Sequence, residues 1–350
     1  MFDALLWRWV PLAAALLLNG CSTLDYYSHL AGGQLHLLQA REPVAELLEN
    51  PTADPELKQR LARAQQARDF ASAQLSLPDN DSYRLYADIQ RPFVVWNVFA
   101  TAEFSLSPEL HCFPIAGCVA YRGFYSQGRA RGSAALLKQQ GLDTYLDGVE
   151  AYSTLGWFDD PILNTMLRWS DERLVAVIFH ELAHQQLYVA NDTAFNESFA
   201  SFVEREGLRQ WRAKHGLPPS DPQGEQQREQ FIALVLASRT RLQQLYASDL
   251  PPTQMRTDKQ AEIARLRAEY HALSAREWGG NGRYDDWINA PINNAKLLPF
   301  GLYDQWVPAF AALFEQAERD WSRFYRRVAA LGELPERERQ QALADLSAGS

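Results

Sequence analysis

The sequence predicts an α+β fold that is mostly helical, with one small sheet ahead of two central helices. Three observations predict it. Apolar residues recur at helical spacing in the N-terminal part of the chain. β-Branched and aromatic residues are concentrated between residues 83 and 152. After residue 170 the chain contains long charged stretches without internal glycine or proline, which are typical of helices.

The first twenty residues are predicted to be a signal peptide rather than part of the fold. The apolar run Val10 to Leu18 is too short to cross a bilayer as a mature helix, but it suits a secretory signal. Asn19-Gly20-Cys21 ends the run and resembles the bacterial lipobox, which implies that Cys21 is lipidated and anchors the protein. Ser22 follows instead of an aspartate, which by this resemblance favours the outer membrane, facing the periplasm. The alternatives are a plain signal peptide and a core helix that happens to contain Cys21.

Periodicity and turn signals predict the elements of the remaining chain. Residues 21–335 are expected to form a single domain, since 350 residues with 47% hydrophobic content can bury a full core. The charged tail, 336–350, is expected to fray. Helices are predicted at 26–50, 55–77, 134–140, 171–190, 193–214, 223–247, 257–273 and 303–331, and strands at 93–99, 119–125 and 144–152.

Charge and cysteine content limit the possible partners. The formal net charge is −9, and no Lys/Arg block offers a surface for phosphates, so nucleic acid is not expected to bind. Two cysteines remain besides Cys21, and export would place Cys112 and Cys118 in an oxidising compartment, where an even pair usually closes. A disulfide is predicted, with two buried thiols as the alternative. A thiolate zinc site is not expected, because no further cysteine completes it.

The sequence His180-Glu181-Leu182-Ala183-His184 places an HExxH motif inside a predicted helix. Residues four apart lie on one helix face, so both imidazoles can reach one metal ion. Glu181 is rotated by roughly 100° from His180 and lies beside the metal, where it can take a proton from the attacking water. The flanking residues are apolar, as a buried metal helix requires. The motif therefore predicts a Zn²⁺ site with Glu181 as the catalytic base.

A catalytic zinc site needs a third protein ligand and one open position. Glu197 is the best candidate, because it lies on the next predicted helix, and the twelve residues after His184 leave room for a turn. The segment Asn196-Glu197 resembles the second motif of the gluzincin metallopeptidases, in which the glutamate binds zinc. Asp192 is the rival ligand. A carboxylate that orients a ligand histidine is also expected, and the sequence does not choose between Asp192 and Glu204.

Several segments together with these two motifs resemble a family of bacterial lipoproteins known as predicted aminopeptidases. The resemblance covers most of the mature chain, and it implies a zincin-like fold, a peptide substrate and aminopeptidase activity. Its segments are VVWNV at 94–98, CFPIAGCVAYRG at 112–123, AYSTLGWFDDP at 151–161, HELAHQ at 180–185 and FNESFA at 195–200.

Further residues are assigned to substrate binding and to stabilising the developing oxyanion. A strand before the metal helix can hold a peptide by backbone pairing, and residues 148–154 are the candidate, with an ordinary core strand as the alternative. Glu150 in this segment resembles the glutamate with which large zinc aminopeptidases bind the substrate amine. Tyr152 is a second candidate for substrate contact. Tyr303 is the first choice for the hydroxyl or imidazole that stabilises the oxyanion, and His271 is the second.

Three functions compete. The first is a zinc peptidase of the cell envelope. The second is a non-catalytic envelope lipoprotein that retains the zincin fold, against which the presence of Glu181 argues, because a structural zinc site does not need that carboxylate. The third is a zinc amidase that acts on cell-wall fragments, which only substrate profiling would separate from the first.

Overall fold

A computed structural model of the chain describes residues 23–113, 117–151, 153–218, 221–300 and 304–348. Cys21, Tyr152 and Tyr303, to which the sequence assigns roles, lie outside the described residues. Within the described residues the architecture is α+β and mostly helical, as predicted. In these ranges no helix is both long and apolar enough to span a bilayer.

Helices form most of the described chain. They are α1 (23–39), α2 (Val44–Glu49), α3 (Pro55–Leu75), α4 (Gln127–Gln139), α5 (Asp171–Gln186), α6 (Thr193–Lys214), α7 (Pro222–Tyr246), α8 (Pro252–Glu277), α9 (Asp285–Asn289), α10 (Asn294–Leu297), α11 (Val307–Gln316), α12 (Trp321–Gly332) and α13 (Glu336–Ala348).

The strands are short and form three small sheets. They are β1 (Arg41–Pro43), β2 (Leu85–Ala87), β3 (Val95–Thr101), β4 (His111–Phe113), β5 (Gly117–Val119), β6 (Arg122–Phe124), β7 (Asp143–Val149) and β8 (Ile162–Leu163). The sheets have the strand orders β1-β2-β8, β6-β3-β7 and β4-β5.

The sheet β6-β3-β7 contributes to the site through its outer strand. Strand β7 pairs antiparallel with β3 from Val95↔Val149 to Thr101↔Asp143. Its other edge has no strand partner within the described part of the chain. The start of this edge is covered, because Asn293 Nδ2 donates to Thr144 O at 3.0 Å. Backbone N–H and C=O groups along an uncovered part of an edge are available to an added strand.

The main core lies where α5 and α6 pack against α3. Phe179 of α5 stacks on Phe70 of α3 with ring centroids 5.8 Å apart. Gly207 of α6 permits this close packing, because a Cβ atom there would lie 2.7 Å from Leu75 Cδ1 and 2.9 Å from Phe179 Cδ2. The helices that carry the HExxH motif and Glu197 are therefore rigidly embedded.

The predicted helical hairpin forms from α7 and α8 and has a core of its own. Phe231 of α7 stacks on Tyr284 at 3.9 Å and contacts Tyr270 of α8 edge to face at 5.9 Å. Helix α8 starts at Pro252 rather than at the predicted residue 257. Proline is favoured in the first helical turn, where its missing N–H has no intrahelical partner, so Pro252 begins the helix.

Two predicted helices are interrupted. The helix predicted at 26–50 ends at residue 39, and β1 separates it from α2. The helix predicted at 303–331 is divided into α11 and α12, because Glu318 and Arg319 both have φ 58° and Asp320 caps the second helix by accepting from Arg323 N. Glu318 and Arg319 are charged, so the apolar periodicity from which the helix was predicted does not mark the break.

The expectation that residues after 335 fray is wrong for residues 336–348, which form α13. Leu343 is fully buried in the main core. Arg339 Nε donates to Asp192 Oδ2 at 2.9 Å, and both side chains are nearly buried. One apolar residue and one buried ion pair thus fix a helix whose composition is mostly charged.

Candidate metal centre and its cavity

Helix α5 presents the HExxH motif in its C-terminal half. The helix begins where Ser170 Oγ accepts from Arg173 N at 3.3 Å, and it buries a continuous apolar face. His180 and His184 lie one turn apart, with ring centroids 4.9 Å apart and planes at 82°. The helix therefore presents both imidazoles on the side that faces α6.

The connection from α5 to α6 occupies residues 187–192 and is fixed by side-chain hydrogen bonds. The side-chain amide of Asn196 binds both backbone groups of Val189. Its Oδ1 accepts from Val189 N and its Nδ2 donates to Val189 O, both at 2.8 Å. Asp192 Oδ1 caps α6 by accepting from Phe195 N at 3.0 Å. The turn is short and tight, as the twelve residues between His184 and Glu197 require.

His180, His184 and Glu197 form a group that can hold a metal ion, with ligand atoms that all lie within 4.8 Å of one another. Glu197 Oε2 is 3.5 Å from His180 Nε2 and 3.7 Å from His184 Nε2. These distances are too long for good hydrogen bonds. Ligands of one tetrahedral zinc ion, each about 2.0–2.2 Å from the metal, are separated by roughly 3.3–3.6 Å. The residues present therefore fit a metal ion.

Glu204, two turns after Glu197 on α6, orients His180. His180 Nδ1 lies 2.9 Å from Glu204 Oε2, which leaves Nε2 facing Glu197. A carboxylate bonded to the far nitrogen of a ligand histidine is a recurring support of metal sites. The sequence left this role open between Asp192 and Glu204. The structure places Glu204 against the imidazole.

The electrostatics of the group favour a cation. Burial alone would lower the pKa of His180, but the carboxylates of Glu197 and Glu204 raise it well above its ordinary value. Burial would raise the pKa of Glu197, but the imidazoles of His184 and His180 lower it to about 2. The negative potential that stabilises a proton on His180 also stabilises a divalent cation between these side chains.

Glu181 lies beside the group without being part of it. Its side chain is 8% exposed and lines the same cavity. Burial raises the pKa of Glu181, an effect that His180 and His184 partly offset. A carboxylate with a raised pKa is a better proton acceptor near neutral pH than an ordinary surface glutamate.

The group opens into a cavity of about 660 Å³. One wall is formed by α5 and α6, the second by β7 and the chain that follows it, and the third by the β4–β5 hairpin and β6. Asp147, Gly148, Val149, Glu150 and Ala151 all line it. Successive side chains of a strand point to opposite faces, so the three consecutive lining residues that belong to β7, Asp147 to Val149, indicate that the strand edge borders the cavity.

Glu150 lies in this second wall and is held in place by its neighbours. Its Oε2 accepts from Trp169 Nε1 at 2.6 Å and lies 3.7 Å from Arg173 Nη2. The structure thus brings Glu150 into the same cavity as the candidate metal ligands. Tyr152, the other candidate for substrate contact, lies outside the described residues.

The predicted disulfide between Cys112 and Cys118 is present and closes the β4–β5 hairpin. Phe113 of this hairpin lines the cavity. Cys118 N donates to Asn191 Oδ1 at 2.7 Å, which attaches the hairpin to the α5–α6 turn. Gly117, with φ 71°, makes this approach possible, because a Cβ atom there would lie 2.6 Å from Asn191 Oδ1.

Two further residues weighed in the sequence lie elsewhere. Asp192, the rival metal ligand, uses one carboxylate oxygen to cap α6 and the other to bind Arg339. His271, the second choice for the oxyanion, is exposed on α8 and is not among the residues that line the cavity. Tyr303, the first choice, lies outside the described residues.

Sequence reasoning missed two tyrosines of the cavity. Tyr121 and Tyr188 both line it, and the negative charge of Glu197 adds to burial in raising the pKa of both hydroxyls. Tyr121 packs against Phe99 with centroids 5.4 Å apart. Nothing in the local sequence distinguishes it from a core tyrosine, whereas Tyr188 lies four residues after His184 and so continues the spacing of the motif.

The model of a protein family described as "Putative aminopeptidase" matches residues 25–343, which is most of the chain. No curated protein and no solved structure matches the chain.

Proposed function

The chain belongs to the family described as "Putative aminopeptidase", and from this premise we propose that it is a zinc-dependent peptidase that removes N-terminal residues. The observation that supports the zinc chemistry is the convergence of His180, His184 and Glu197 within 4.8 Å, with Glu181 beside them in a cavity. A structural zinc site is usually closed by four protein ligands, whereas a catalytic one keeps an open position.

Zn²⁺ held by His180, His184 and Glu197 would supply a Lewis acid that polarises a peptide carbonyl and acidifies water. Proton transfer and the orientation of His180 are assigned to two glutamates of the chain. Glu181 accepts the proton of the attacking water and delivers it to the leaving amine, for which its raised pKa suits it. Glu204 holds His180 in the tautomer that leaves Nε2 free.

Substrate binding is assigned to the cavity wall that includes β7. The part of the β7 edge that borders the cavity, residues 147–149, can pair with the backbone of an extended peptide. Glu150 offers a carboxylate to the positively charged N-terminal amine, and its bond from Trp169 keeps it oriented. Among the described residues that line the cavity, we assign the stabilisation of negative charge on the carbonyl oxygen to the hydroxyls of Tyr121 and Tyr188.

Two other functions use the same site. A non-catalytic envelope lipoprotein would keep the metal group but would have no use for Glu181, whose burial destabilises the fold. Proton transfer gives this buried carboxyl group a function. An amidase that acts on cell-wall fragments would use the same chemistry on a different substrate, and substrate profiling separates the two. We place the protein in the cell envelope, anchored through Cys21 and facing the periplasm from the outer membrane, as the lipobox-like sequence indicates.

The test is metal analysis beside a peptide digest. The purified protein should contain about one zinc per chain, and His184→Ala should lose it. His36→Ala, a change at an exposed histidine on α1, is the matched control and should keep the metal. Chelation should abolish release of N-terminal residues from a peptide library, and added Zn²⁺ should restore it. If His184→Ala retains stoichiometric zinc, the proposed site is wrong.

A further inference from the structure

One face of the sheet β6-β3-β7 points into the cavity. Val95 and Asn97 of β3 line the cavity, whereas Trp96 and Val98 pack in a separate apolar cluster with residues of α4. Successive side chains of a strand point to opposite faces, so β3 presents its odd-numbered residues to the cavity. Asp147 of β7 is the register partner of Asn97 and lines the cavity as well. We call Asn97 and Asp147 the polar pair.

The two side chains of the polar pair lie next to each other. Residues directly opposite in an antiparallel pair have Cβ atoms about 4.5–5.5 Å apart, so an amide and a carboxylate share one small area of the cavity wall. Gly123 of β6 is the other register partner of Asn97. A Cβ atom on Gly123 would lie 3.3 Å from Asn97 Oδ1, so the glycine leaves the amide uncovered on the cavity side.

Asn97 is 8% exposed, yet its side chain forms no hydrogen bond within the described part of the chain. Buried amide groups are usually hydrogen-bonded, and each exception requires an explanation. An amide that faces a cavity and lacks a partner in the protein is available to a ligand.

Asp147 is a carboxylate without a cationic partner among the described residues. Its Oδ1 accepts from the Tyr145 hydroxyl at 3.4 Å, which is a long hydrogen bond. Burial raises the pKa of the Asp147 carboxyl group, and the nearby carboxylate of Glu150 raises it further. A buried carboxylate is costly unless it is paired, so this position favours a positively charged group.

The two arginines that line the cavity have other partners. Arg173 Nη2 lies 3.7 Å from Glu150 Oε2, and Arg228 Nη2 lies 3.0 Å from Asp304 Oδ1. A metal ion is not favoured beside Asp147 either, because this residue does not belong to the group of described residues that can hold one. The positive group that the polar pair can bind therefore comes from the substrate.

We propose that the polar pair binds the ammonium or guanidinium group of a substrate side chain, so that peptides with lysine or arginine close to the cleaved bond are preferred. This inference rests on the proposed peptidase function. The carboxylate of Asp147 and Oδ1 of Asn97 are both acceptors, whereas lysine and arginine side chains are donors only. The polar pair and the metal group share one cavity of about 660 Å³, so the bound side chain belongs to a residue near the reacting carbonyl.

Selectivity between matched peptides tests the inference. The substrates are alanine-rich pentapeptides with a free N-terminus, in which lysine, arginine or norleucine occupies the first, second or third position. Norleucine resembles lysine but has no ammonium group. Full-length, zinc-loaded protein should cleave the basic peptides with a kcat/KM about 10- to 100-fold above that of the norleucine peptide at one of these positions, the typical effect of a hydrogen bond to a charged group. Mass spectrometry of the products measures each rate.

Asp147→Asn keeps the shape of the side chain and removes its charge, so the ratio of the two kcat/KM values should fall close to one. Asn97→Leu, which removes the amide with little change in size, should lower the ratio as well. The matched control is Asp249→Asn, a change at an exposed carboxylate outside the cavity, and it should keep the parental ratio.

A parent protein that cleaves basic and norleucine peptides equally well at all three positions overturns the inference and leaves the peptidase proposal intact. A parental ratio in Asp147→Asn does the same, because the selectivity would then come from other residues. If the zinc-loaded parent cleaves none of the peptides, the peptidase proposal fails and the inference with it.

Discussion

At the scale of single residues, two glutamates in the cavity should separate catalysis from metal binding. Glu181→Gln keeps the shape of the side chain but cannot accept the proton of the attacking water. The variant should keep its zinc and its melting temperature, while kcat falls by about 10²–10⁴. Metal analysis and peptide hydrolysis measure both effects. Wild-type turnover in this variant would exclude the proposed mechanism.

Glu197→Gln should behave differently, because it replaces an anionic ligand with a weaker neutral one. Zinc affinity should fall together with activity, and excess zinc should restore part of the rate. Glu229→Gln, a change at an exposed carboxylate on α7, is the control for the loss of one negative charge. If Glu197→Gln binds zinc as tightly as the parent, the third ligand is another residue.

A second prediction at this scale concerns the oxyanion. Tyr121→Phe should lower kcat on the order of 10², the typical cost of losing one donor to the oxyanion, with little change in zinc content. Tyr188→Phe tests the other hydroxyl of the cavity. Tyr145→Phe is the control, since Tyr145 packs on the same Phe99 ring but does not line the cavity. Full activity in both Tyr121→Phe and Tyr188→Phe would assign this role to another residue, such as Arg228 of the cavity wall or Tyr303.

At the scale of elements, the disulfide hairpin should shape the cavity rather than hold the metal. Closing this short loop is expected to contribute about 2 kcal/mol to stability. Replacing Cys112 and Cys118 with serine should therefore lower the melting temperature and raise KM, because Phe113 loses its fixed place in the wall. Zinc content should not change. A variant that loses zinc would instead connect the hairpin to the metal ligands themselves.

Helix α13 supports the metal helix α6 through a buried ion pair. Arg339→Met would leave Asp192, the cap of α6, as an unpaired buried carboxylate. Breaking one side of such a pair typically costs about 3–5 kcal/mol, so the urea midpoint should fall clearly. Arg337→Met, a change at an exposed position on the same helix, should leave it unchanged. Equal midpoints in the two variants would show that the pair does not stabilise α6.

These elements also show what the sequence can predict. Helix α6 has the bounds that periodicity and its end signals predict, Thr193–Lys214, because a capping aspartate and a terminal glycine are both local signals. Helix α13 was missed because Arg339 looks like a surface charge until its partner, 147 positions earlier in the chain, is known. The break between α11 and α12 likewise depends on tertiary packing rather than on a local apolar pattern.

At the scale of the whole molecule, the site combines segments that are far apart in sequence. Local spacing predicted that His180 and His184 share a helix face, and Glu197 was within reach of a short turn. The remaining walls come from β7, the disulfide hairpin and α7, whose Arg228 also lines the cavity. No local signal brings these segments together, so the sequence could predict the chemistry of the centre better than the shape of the space around it.

The last prediction concerns where the whole molecule is held. Described structure begins at residue 23, two positions after Cys21, so a lipid on Cys21 would hold the start of α1 within about 7 Å of its attachment point. Several acyl chains, at about 0.8 kcal/mol for each buried CH₂ group, give stable anchoring. Cys21→Ala should therefore abolish lipid labelling and shift the protein from the membrane fraction to the soluble fraction. Zinc content and peptide hydrolysis should stay at parental levels, because the cavity lies among α5, α6 and β7 rather than at the start of the chain. Labelling that persists in Cys21→Ala would rule out the lipobox, whereas loss of zinc on release would mean that the anchored segment also supports the fold.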